Sequence, residues 1–307
     1  MNLKLDDGTT VTGLTRPAQG MRHRVLFGVE EASGREVAVK IELLPGALGP
    51  ERLALEWLSA NDGPAPRWRA AGTVAEGEHR GAACLVSDRV PGEAPRSADA
   101  WERLGRALAR LARVPWEGSG LDVQGHREFL AVHERRVADL EGALDGDDLG
   151  SAAGRDGPGL AGRLPPVPPR FAGSPLVLTH GDPGPGNFLD HGEVGTLIDW
   201  EDAMVAPRGL DLGRAAFIAL LGAGPEGYVA EDRAARASAV VAGFRAEADD
   251  GFPDAGELVW WLGVAGVQFA HRRLERAGEP DVLPWREAIA VLDEALAAAW
   301  FRDGRQR

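Results

Sequence analysis

The chain has 307 residues, of which 44% are apolar, and this suits either one two-lobed enzyme or two modest domains with sizeable cores. Its formal net charge of -13 argues against a general nucleic-acid-binding protein, which needs a basic surface, and is compatible with a cationic ligand. The single cysteine, Cys84, excludes a disulfide framework and a cysteine-based zinc site, and no apolar run approaches the ~20 residues that cross a membrane.

The first 95 or so residues are predicted to form mostly strands with one helix. The strands are expected where apolar and β-branched residues run between turn signals, at 25–30, 36–43, 68–74 and 82–87. A helix is expected over 51–60, because apolar residues recur there at helical spacing and Pro50 lies just ahead of them.

Lysine is rare in this sequence. Of the 34 lysine and arginine residues, only Lys4 and Lys40 are lysines. Lys40 lies in the apolar strand segment Val-Ala-Val-Lys-Ile, which resembles the strand of kinases whose lysine contacts the nucleotide phosphates. A compact ammonium is not equivalent to a planar guanidinium at a crowded phosphate, so the lysine at this position indicates a specific need.

Two loops bear on nucleotide binding. Residues 17–24 lie where a phosphate-covering loop would be expected, but they contain one glycine, Gly20, and no glycine-rich motif. The sequence also lacks a Walker A motif, which excludes a P-loop nucleotidase. After the strand at 82–87, Pro91-Gly92 gives a strong turn signal.

The remainder of the chain is predicted to be mainly helical. Apolar spacing predicts helices over 101–113 and 126–144, and the Gly-, Pro- and Asp-rich residues 146–174 are predicted to form a mobile loop. Four more helices, separated by prolines, are predicted at 211–222, 226–248, 254–277 and 284–301.

The most informative stretch lies between these helical regions, at residues 176–211. An apolar run leads into His180-Gly181-Asp182, Asn187 follows after four intervening residues, and a second apolar run ends at Asp199. This order matches the spacing of the kinase catalytic loop and its metal-binding aspartate. Phosphoryl transfer needs a carboxylate to hold the attacking hydroxyl and oxygen ligands for Mg²⁺, and these side chains supply both.

The stretch resembles the catalytic core of the aminoglycoside phosphotransferase family, the small-molecule kinases with a protein-kinase-like fold. That family has H-G-D-x-x-x-x-N in its loop and I-D-W-E or a close variant at its metal site, and both are present here, at 180–187 and 198–201. The resemblance implies an α+β, bilobal, protein-kinase-like fold. Residues 1–90 would form a small β-rich lobe with one helix that binds nucleotide, and residues 91–307 a larger, mainly helical lobe for catalysis and substrate binding.

The resemblance also assigns roles, with ATP and Mg²⁺ as cofactors. Asp182 would be the catalytic base, and Asn187 and Asp199 would hold Mg²⁺. Lys40 would grip the α- and β-phosphates. Its partner would be a glutamate on the next helix; family spacing favours Glu51, with Glu56 as the alternative.

Further positions follow from the same resemblance. Gly20 would lie under the phosphates or serve as a plain turn glycine. The interlobe hinge would bind adenine through Ser87, Asp88, Arg89 and Val90. His180 and Asp211 would brace the catalytic loop by hydrogen bonds.

The function implied is ATP-dependent phosphorylation of a hydroxyl on a small molecule in the cytoplasm, with no nucleic-acid, membrane or obligate protein partner. An aminoglycoside-like antibiotic is favoured as acceptor, which would make the protein a resistance enzyme. A metabolic kinase of choline, homoserine or amino-sugar type is the alternative, and a nucleotide-binding pseudokinase is a third hypothesis, favoured only by the irregular phosphate loop.

A cationic acceptor would need carboxylates around it, and five acids are available, at Asp190, Glu201, Asp202, Glu226 and Asp249. Trp260 and Trp261 with Phe269 could form an aromatic wall for a cation or a sugar. At helical spacing, however, core positions are the favoured interpretation of Trp261 and Phe269.

Overall fold

The computed structural model describes residues 2–16, 23–146, 159–222, 232–248, 254–276 and 285–297. Within these ranges the strands are β1 (Leu3–Lys4), β2 (Thr10–Thr15), β3 (His23–Glu30), β4 (Glu36–Glu42), β5 (Trp68–Thr73), β6 (Ala83–Asp88), β7 (Leu176–Thr179), β8 (Phe188–Asp190), β9 (Gly195–Leu197) and β10 (Met204–Pro207). The helices are α1 (Gly49–Ala60), α2 (Ala98–Leu111), α3 (His126–Gly146), α4 (Leu160–Arg163), α5 (Leu210–Leu221), α6 (Arg233–Glu247), α7 (Ala255–Glu275) and α8 (Trp285–Ala297).

The N-terminal part is a six-stranded antiparallel sheet in the order β1-β2-β3-β4-β6-β5. Strand β4 shows how the sequence sets its two faces. Val37, Val39 and Ile41 are fully buried in the core of this sheet, and the intervening Ala38 and Lys40 are half-buried on the opposite face. Because successive side chains of a strand alternate, the apolar pattern that buries the valines also turns Lys40 away from that core.

Helix α1 connects the sheet to the helical part of the molecule. It begins beside Pro50, and it buries Leu55 and Leu58 in the large core formed mainly by the later helices. Glu51 lies four residues before Leu55 and seven before Leu58, so helical periodicity places it on the same inward face. It is only 5% exposed, which is uncommon for a carboxylate without a cationic partner.

The helical part is built around α5. Every residue of α5 is buried, and α6, α7 and α8 pack around it with α2 and α3 on the outside. Helices α2 and α6 approach each other closely at two glycines. A Cβ atom on Gly105 would lie 2.0 Å from the carbonyl oxygen of Val240, and one on Gly243 would lie 1.9 Å from that of Glu102.

Two small antiparallel ladders carry the predicted catalytic stretch. β7 pairs with β10, and β8 pairs with β9. The His180-Gly181-Asp182 turn follows β7, a short 3₁₀ turn (Pro185–Asn187) precedes β8, and Asp199 follows β9. Short strands buried in the large core therefore fix both ends of each of these loops.

The predicted α+β division into a strand-rich part and a helical part is confirmed, and the element boundaries differ in detail. The predicted loop at 146–174 is wrong in part, because it contains α4 and a 3₁₀ turn that buries Phe171. Residues 147–158, also assigned to that loop, and residues 226–231 of one predicted helix lie outside the described ranges. In the described part of the chain, no helix combines the length and apolar character needed to cross a bilayer.

Candidate active site

A cleft of about 1080 Å³ lies between the sheet and the helical part. The sheet contributes Val25, Ala38 and Lys40 to its lining, and the loops after β7 and β9 contribute Asp182 and Asp199. The outward face of β4 therefore meets the predicted catalytic loops across this space.

Lys40 contacts two carboxylates. Its Nζ donates to Glu51 Oε2 at 2.5 Å and also to Asp199 Oδ1. Burial alone would lower the pKa of Lys40, but the negative charges of Glu51 and Asp199 outweigh that effect and raise it. Lys40 is therefore a cation in the cleft. The alternative partner, Glu56, is instead on the exposed face of α1, where it accepts from Arg52 at 3.1 Å.

The turn after β7 is held by the first turn of α5. Asp211 accepts hydrogen bonds from the backbone N–H groups of His180, at 2.6 Å, and Gly181, at 3.0 Å. Gly181 has φ +80°, and a Cβ atom there would lie 2.1 Å from the carbonyl oxygen of Asp202, so only glycine fits. These contacts are those that the predicted bracing role of Asp211 requires.

His180 links the two catalytic loops. Its ring is fully buried, and Nε2–H donates to the carbonyl oxygen of Ile198 at 2.9 Å. This leaves Nδ1 as the acceptor for the backbone N–H of Asp182, at 3.2 Å. Burial lowers the pKa of His180, so the ring is neutral and acts as a donor on one side and an acceptor on the other.

The two predicted metal ligands present oxygen atoms to the cleft. The side-chain Nδ2 of Asn187 donates to the backbone carbonyl of Asp182 at 2.9 Å, which leaves the amide oxygen of Asn187 for another partner. Asp199 has φ +65°, a left-handed conformation that costs a non-glycine residue ~1–2 kcal/mol. That conformation directs its carboxylate towards Lys40 in the cleft.

This donor set fits Mg²⁺. One carboxylate and one amide oxygen are hard ligands, and Mg²⁺ in phosphoryl-transfer sites takes one or two protein ligands with the remainder from phosphates and water. In the described parts of the chain, no group of three or more His, Cys, Asp or Glu side chains is arranged to hold a metal by itself. The arrangement therefore suits an ion that arrives with a nucleotide.

Arg214 is a site residue that the sequence reasoning missed. Its Nη2 donates to Asp182 Oδ1 at 3.0 Å, and Arg214 is only 9% exposed. Burial, followed by the nearby charge of Arg272, lowers the pKa of Arg214. The sequence contained part of the information needed to predict Arg214, because it lies three residues after Asp211 and so occupies the same face of α5.

A second missed contact joins the sheet to the metal-site loop. His23, at the start of β3, contacts Glu201 with 2.9 Å between Nε2 and Oε2. Burial lowers the pKa of His23, and the charge of Lys40 acts in the same direction. The sequence placed His23 in the phosphate loop, whereas it is a buried strand residue.

The hinge residues divide into two groups. Three line the cleft, namely Ser87, Asp88 and Val90. Arg89 does not; its guanidinium lies over the ring of Phe27, 4.5 Å from the centroid. The adenine-binding prediction therefore stays untested at all four positions, and the geometry gives no support to a role for the side chain of Arg89.

Three of the residues proposed for a cationic acceptor do not line the cleft. Asp190 lies outside the cleft lining and accepts from Arg103 at 2.6 and 2.8 Å. Trp260 and Trp261 are buried in an aromatic cluster with Phe129 and Phe171, away from the cleft. The core interpretation is therefore confirmed for Trp261.

Phe269 lines the cleft, and it also packs against the large core, with its ring centroid 6.0 Å from that of Phe217, so the core interpretation holds in part for that residue. Glu201 and Asp202 also line it. Three predicted site residues lie outside the described ranges, and their predictions are unchanged: Gly20, Glu226 and Asp249.

Comparison with known proteins shows the family of the chain. The model of the phosphotransferase enzyme family matches residues 14–248. No curated protein sequence matches the chain significantly.

Solved structures share the fold at low identity. An amicoumacin kinase in complex with AMP-PNP and Ca²⁺ is 15% identical, with 95% of this chain and 88% of that chain covered and a TM-score of 0.57. An aminoglycoside-3'-phosphotransferase of type VIII is 23% identical, with 83% and 92% covered and a TM-score of 0.51. A choline/ethanolamine kinase family protein from Mesorhizobium loti is 17% identical, with 95% and 90% covered and a TM-score of 0.55. The predicted bilobal, kinase-like fold is thereby confirmed.

Proposed function

Because the chain belongs to the phosphotransferase enzyme family, we propose that it transfers the γ-phosphoryl group of ATP, with Mg²⁺, to a hydroxyl group of a small molecule. One observation carries the proposal. One cleft brings together a lysine paired with a buried glutamate, a braced aspartate, and an asparagine and a second aspartate that both line the cleft. Phosphoryl transfer relies on positioning and charge neutralisation, and this arrangement supplies both.

The nucleotide side of the cleft is assigned to residues 1–90. The Lys40 ammonium, fixed by Glu51, binds phosphate oxygens. The backbone N–H groups of Asp88 and Arg89 already donate to the carbonyls of Arg67 and Glu36, at 2.9 and 3.0 Å. Ser87 is paired with Ala38 and Trp68 in the sheet, so the backbone of Val90 is the adenine contact that we propose, with Ser87 lining the cleft beside it.

The chemical side is assigned to residues 91–307. Asp199 and Asn187 hold Mg²⁺, which when bound neutralises charge on the phosphate oxygens. Asp182 accepts the proton of the acceptor hydroxyl as that oxygen attacks. Arg214 and Asn187 both donate to the Asp182 carboxylate, at 3.0 and 3.4 Å, and so hold it in one orientation.

The acceptor class is not decided by the fold. The similar solved structures include, by their names, kinases of antibiotics and a choline/ethanolamine kinase family protein. The antibiotic and metabolic acceptors expected from the sequence both stay proposals, because proteins of one fold take many substrates.

The proposal is tested by ADP release from Mg-ATP with pooled hydroxyl compounds, including aminoglycosides, choline, amino sugars, sugar acids and homoserine. We expect release with at least one pool, and loss of that release when Mg²⁺ is removed by EDTA. The melting temperature, measured with and without Mg-ATP, separates a pseudokinase from an active kinase. A rise in melting temperature without ADP release in any pool would favour the pseudokinase and contradict the enzyme.

A further inference from the structure

The helical side of the cleft is rich in arginine. Four arginines contribute to its lining: Arg214 from α5, Arg272 and Arg273 from the last turn of α7, and Arg276 directly after that helix. This concentration contrasts with the net charge of -13 for the whole chain. The lining of this side also includes the carboxylates of Asp182, Glu201, Asp202 and Glu275, so the charge that a ligand meets depends on which arginines these acids leave unpaired.

Three carboxylates on this side already have basic side chains as partners. Asp182 accepts from Arg214, and Asp202 accepts from Arg272 at 2.9 Å. Glu275, in the last turn of α7, lies 3.6 Å from Nδ1 of His271. A cationic acceptor would therefore have to compete with an arginine for two of these acids.

Arg273 differs from its neighbours. Among the described residues its contact is an aromatic ring and not a carboxylate, because its guanidinium lies over Phe269 at 4.7 Å from the centroid. Stacking fixes the guanidinium plane and leaves its N–H fork open at the edge. Such a fork matches the two oxygens of a carboxylate or phosphate.

Excess positive charge is also evident behind the cleft wall. Arg136 of α3 is half-buried, and its pKa is lowered by burial and then by the charge of Arg272. The same charge lowers the pKa of Arg214. The charge of Arg272 therefore acts on both Arg136 and Arg214, and an anion bound by Arg272 would offset that charge.

We propose that the acceptor of this phosphotransferase carries an acidic group, a carboxylate or a phosphate, on the same small molecule as the hydroxyl, and that Arg272 and Arg273 bind that group. This inference rests on the proposed function and specifies its acceptor. The acceptor oxygen forms a bond to the γ-phosphorus as the bond to the β,γ-bridging oxygen breaks, the hydroxyl proton passes to Asp182, and ADP leaves. The arginines hold the acid while Asp182 orients the hydroxyl.

The experiment uses probes of matched skeleton and different charge: D-galacturonate, D-galactose 6-phosphate, D-galactose and D-galactosamine. These are accompanied by pools of hydroxy acids, sugar phosphates and aminoglycosides. Two readouts are taken on the full chain. One is ADP release from Mg-ATP, and the other is the melting temperature with Mg-AMP-PNP present, which needs no turnover.

The variants are Arg272→Gln and Arg273→Gln, with Arg106→Gln as the matched control. Arg106 is exposed on α2, pairs with Glu102 at 2.5 Å and does not line the cleft. We expect acidic probes to raise the melting temperature of the wild type more than neutral or basic ones, and ADP release to be greatest with an acidic pool. Arg273→Gln should lower kcat/KM for the acid about 10- to 100-fold, with KM for ATP unchanged, since a hydrogen bond to a charged group is lost.

Several results would overturn the inference. One is phosphorylation of aminoglycosides at the same rate by the wild type, Arg272→Gln and Arg273→Gln. Another is phosphorylation of an acid by both variants with the wild-type kcat/KM. The inference would also be overturned if no acidic probe raised the melting temperature and none was phosphorylated. The proposed function fails separately, if no pool releases ADP. Even then, the acidic site would be supported if acidic probes bound the wild type and Arg106→Gln but not Arg273→Gln. Comparison of the carboxylate and phosphate probes identifies which acid is preferred.

Discussion

The side chain of Lys40 joins the two sides of the cleft through ion pairs. Its ammonium joins Glu51 of α1 to Asp199 of the loop after β9, and its side chain is 13% exposed. Removing one partner of a buried pair leaves an uncompensated charge, which costs about 3–5 kcal/mol. Lys40→Met should therefore lower the free energy of unfolding by about 3 kcal/mol as well as abolish phosphate binding, as measured by urea denaturation.

The double variant Lys40→Met with Glu51→Gln should recover part of that loss, because the unpaired carboxylate is then gone. The exposed pair Arg52–Glu56 on the same helix is the control, and Arg52→Met should change stability by less than about 0.5 kcal/mol. Equal stability of wild type and Lys40→Met would show that the pair is not closed in solution.

His133 of α3 gives a pH dependence that does not involve the cleft. Burial, followed by the charge of Arg136, lowers the pKa of His133 from 6.5 to about 4. Between these values the unfolded chain binds a proton that the folded protein does not. The contribution to stability is therefore complete above pH 6.5 and falls as the pH decreases towards 4.

At pH 4.5 this loss should amount to about 2–3 kcal/mol relative to pH 7. His133→Phe removes the ionisable group and fills the same space beside Trp260, whose ring lies 6.4 Å away. Urea unfolding of both proteins at pH 7 and pH 4.5 should show the wild type losing more stability than the variant. An identical loss in both proteins would mean that His133 titrates normally.

The sequence allowed some of these residues to be predicted and not others, for a physical reason. Asp182, Asn187 and Asp199 lie within one short stretch whose local spacing carries chemical information. The contact between Arg214 and Asp182 joins residues 32 positions apart, and that between Arg272 and Asp202 joins residues 70 apart. Hydrophobic periodicity predicts which face of a helix is inward, but not which polar group it will meet.

At the scale of elements, α2 and α6 give the clearest test of packing. Gly243 lets α6 approach the backbone of α2, and a Cβ atom there would lie 1.9 Å from the carbonyl oxygen of Glu102. Backbone cannot yield as a flexible side chain does, so Gly243→Ala should lower the free energy of unfolding by at least about 2 kcal/mol.

The control is Gly142→Ala on α3, where a Cβ atom would meet nothing within 4 Å. That change should stabilise the protein by up to about 1 kcal/mol, because alanine favours a helix interior more than glycine does. Chemical denaturation of the two variants checks both signs. A neutral or stabilising effect of Gly243→Ala would mean that the two helices are farther apart than described here.

Elements with a strong period were predictable, and short ones were not. The apolar and β-branched run at 36–43 correctly predicted strand β4, and the helices predicted at 101–113 and 126–144 lie within a few residues of α2 and α3. Helix α4 has four residues, too few to show a helical period, and lies in a Gly- and Pro-rich segment. Its burial of Leu160 depends on the large core and not on local propensity.

On the scale of the whole molecule, the cleft is formed by segments distant in sequence. Strands β3 and β4 form one wall, the loops around residues 180–202 the floor, and α5 with the C-terminal end of α7 the side that we propose for the acceptor. The fold could be predicted because strand-rich and helical segments follow one another in order. The acceptor side could not, because its arginines and acids come together only when α7 packs against α5 and α3.

In the proposed reaction, Asp182 activates a hydroxyl for Mg²⁺-dependent transfer from ATP. The most direct measurement follows label from [γ-³²P]ATP into acceptor pools with wild type and Asp182→Asn, with and without Mg²⁺. Asparagine keeps the shape and can still accept from Arg214, but it cannot take the proton. The account predicts Mg²⁺-dependent labelling by the wild type, and labelling at least about 100-fold slower by Asp182→Asn with Mg-ATP affinity unchanged. Labelling by Asp182→Asn at the wild-type rate would contradict the account.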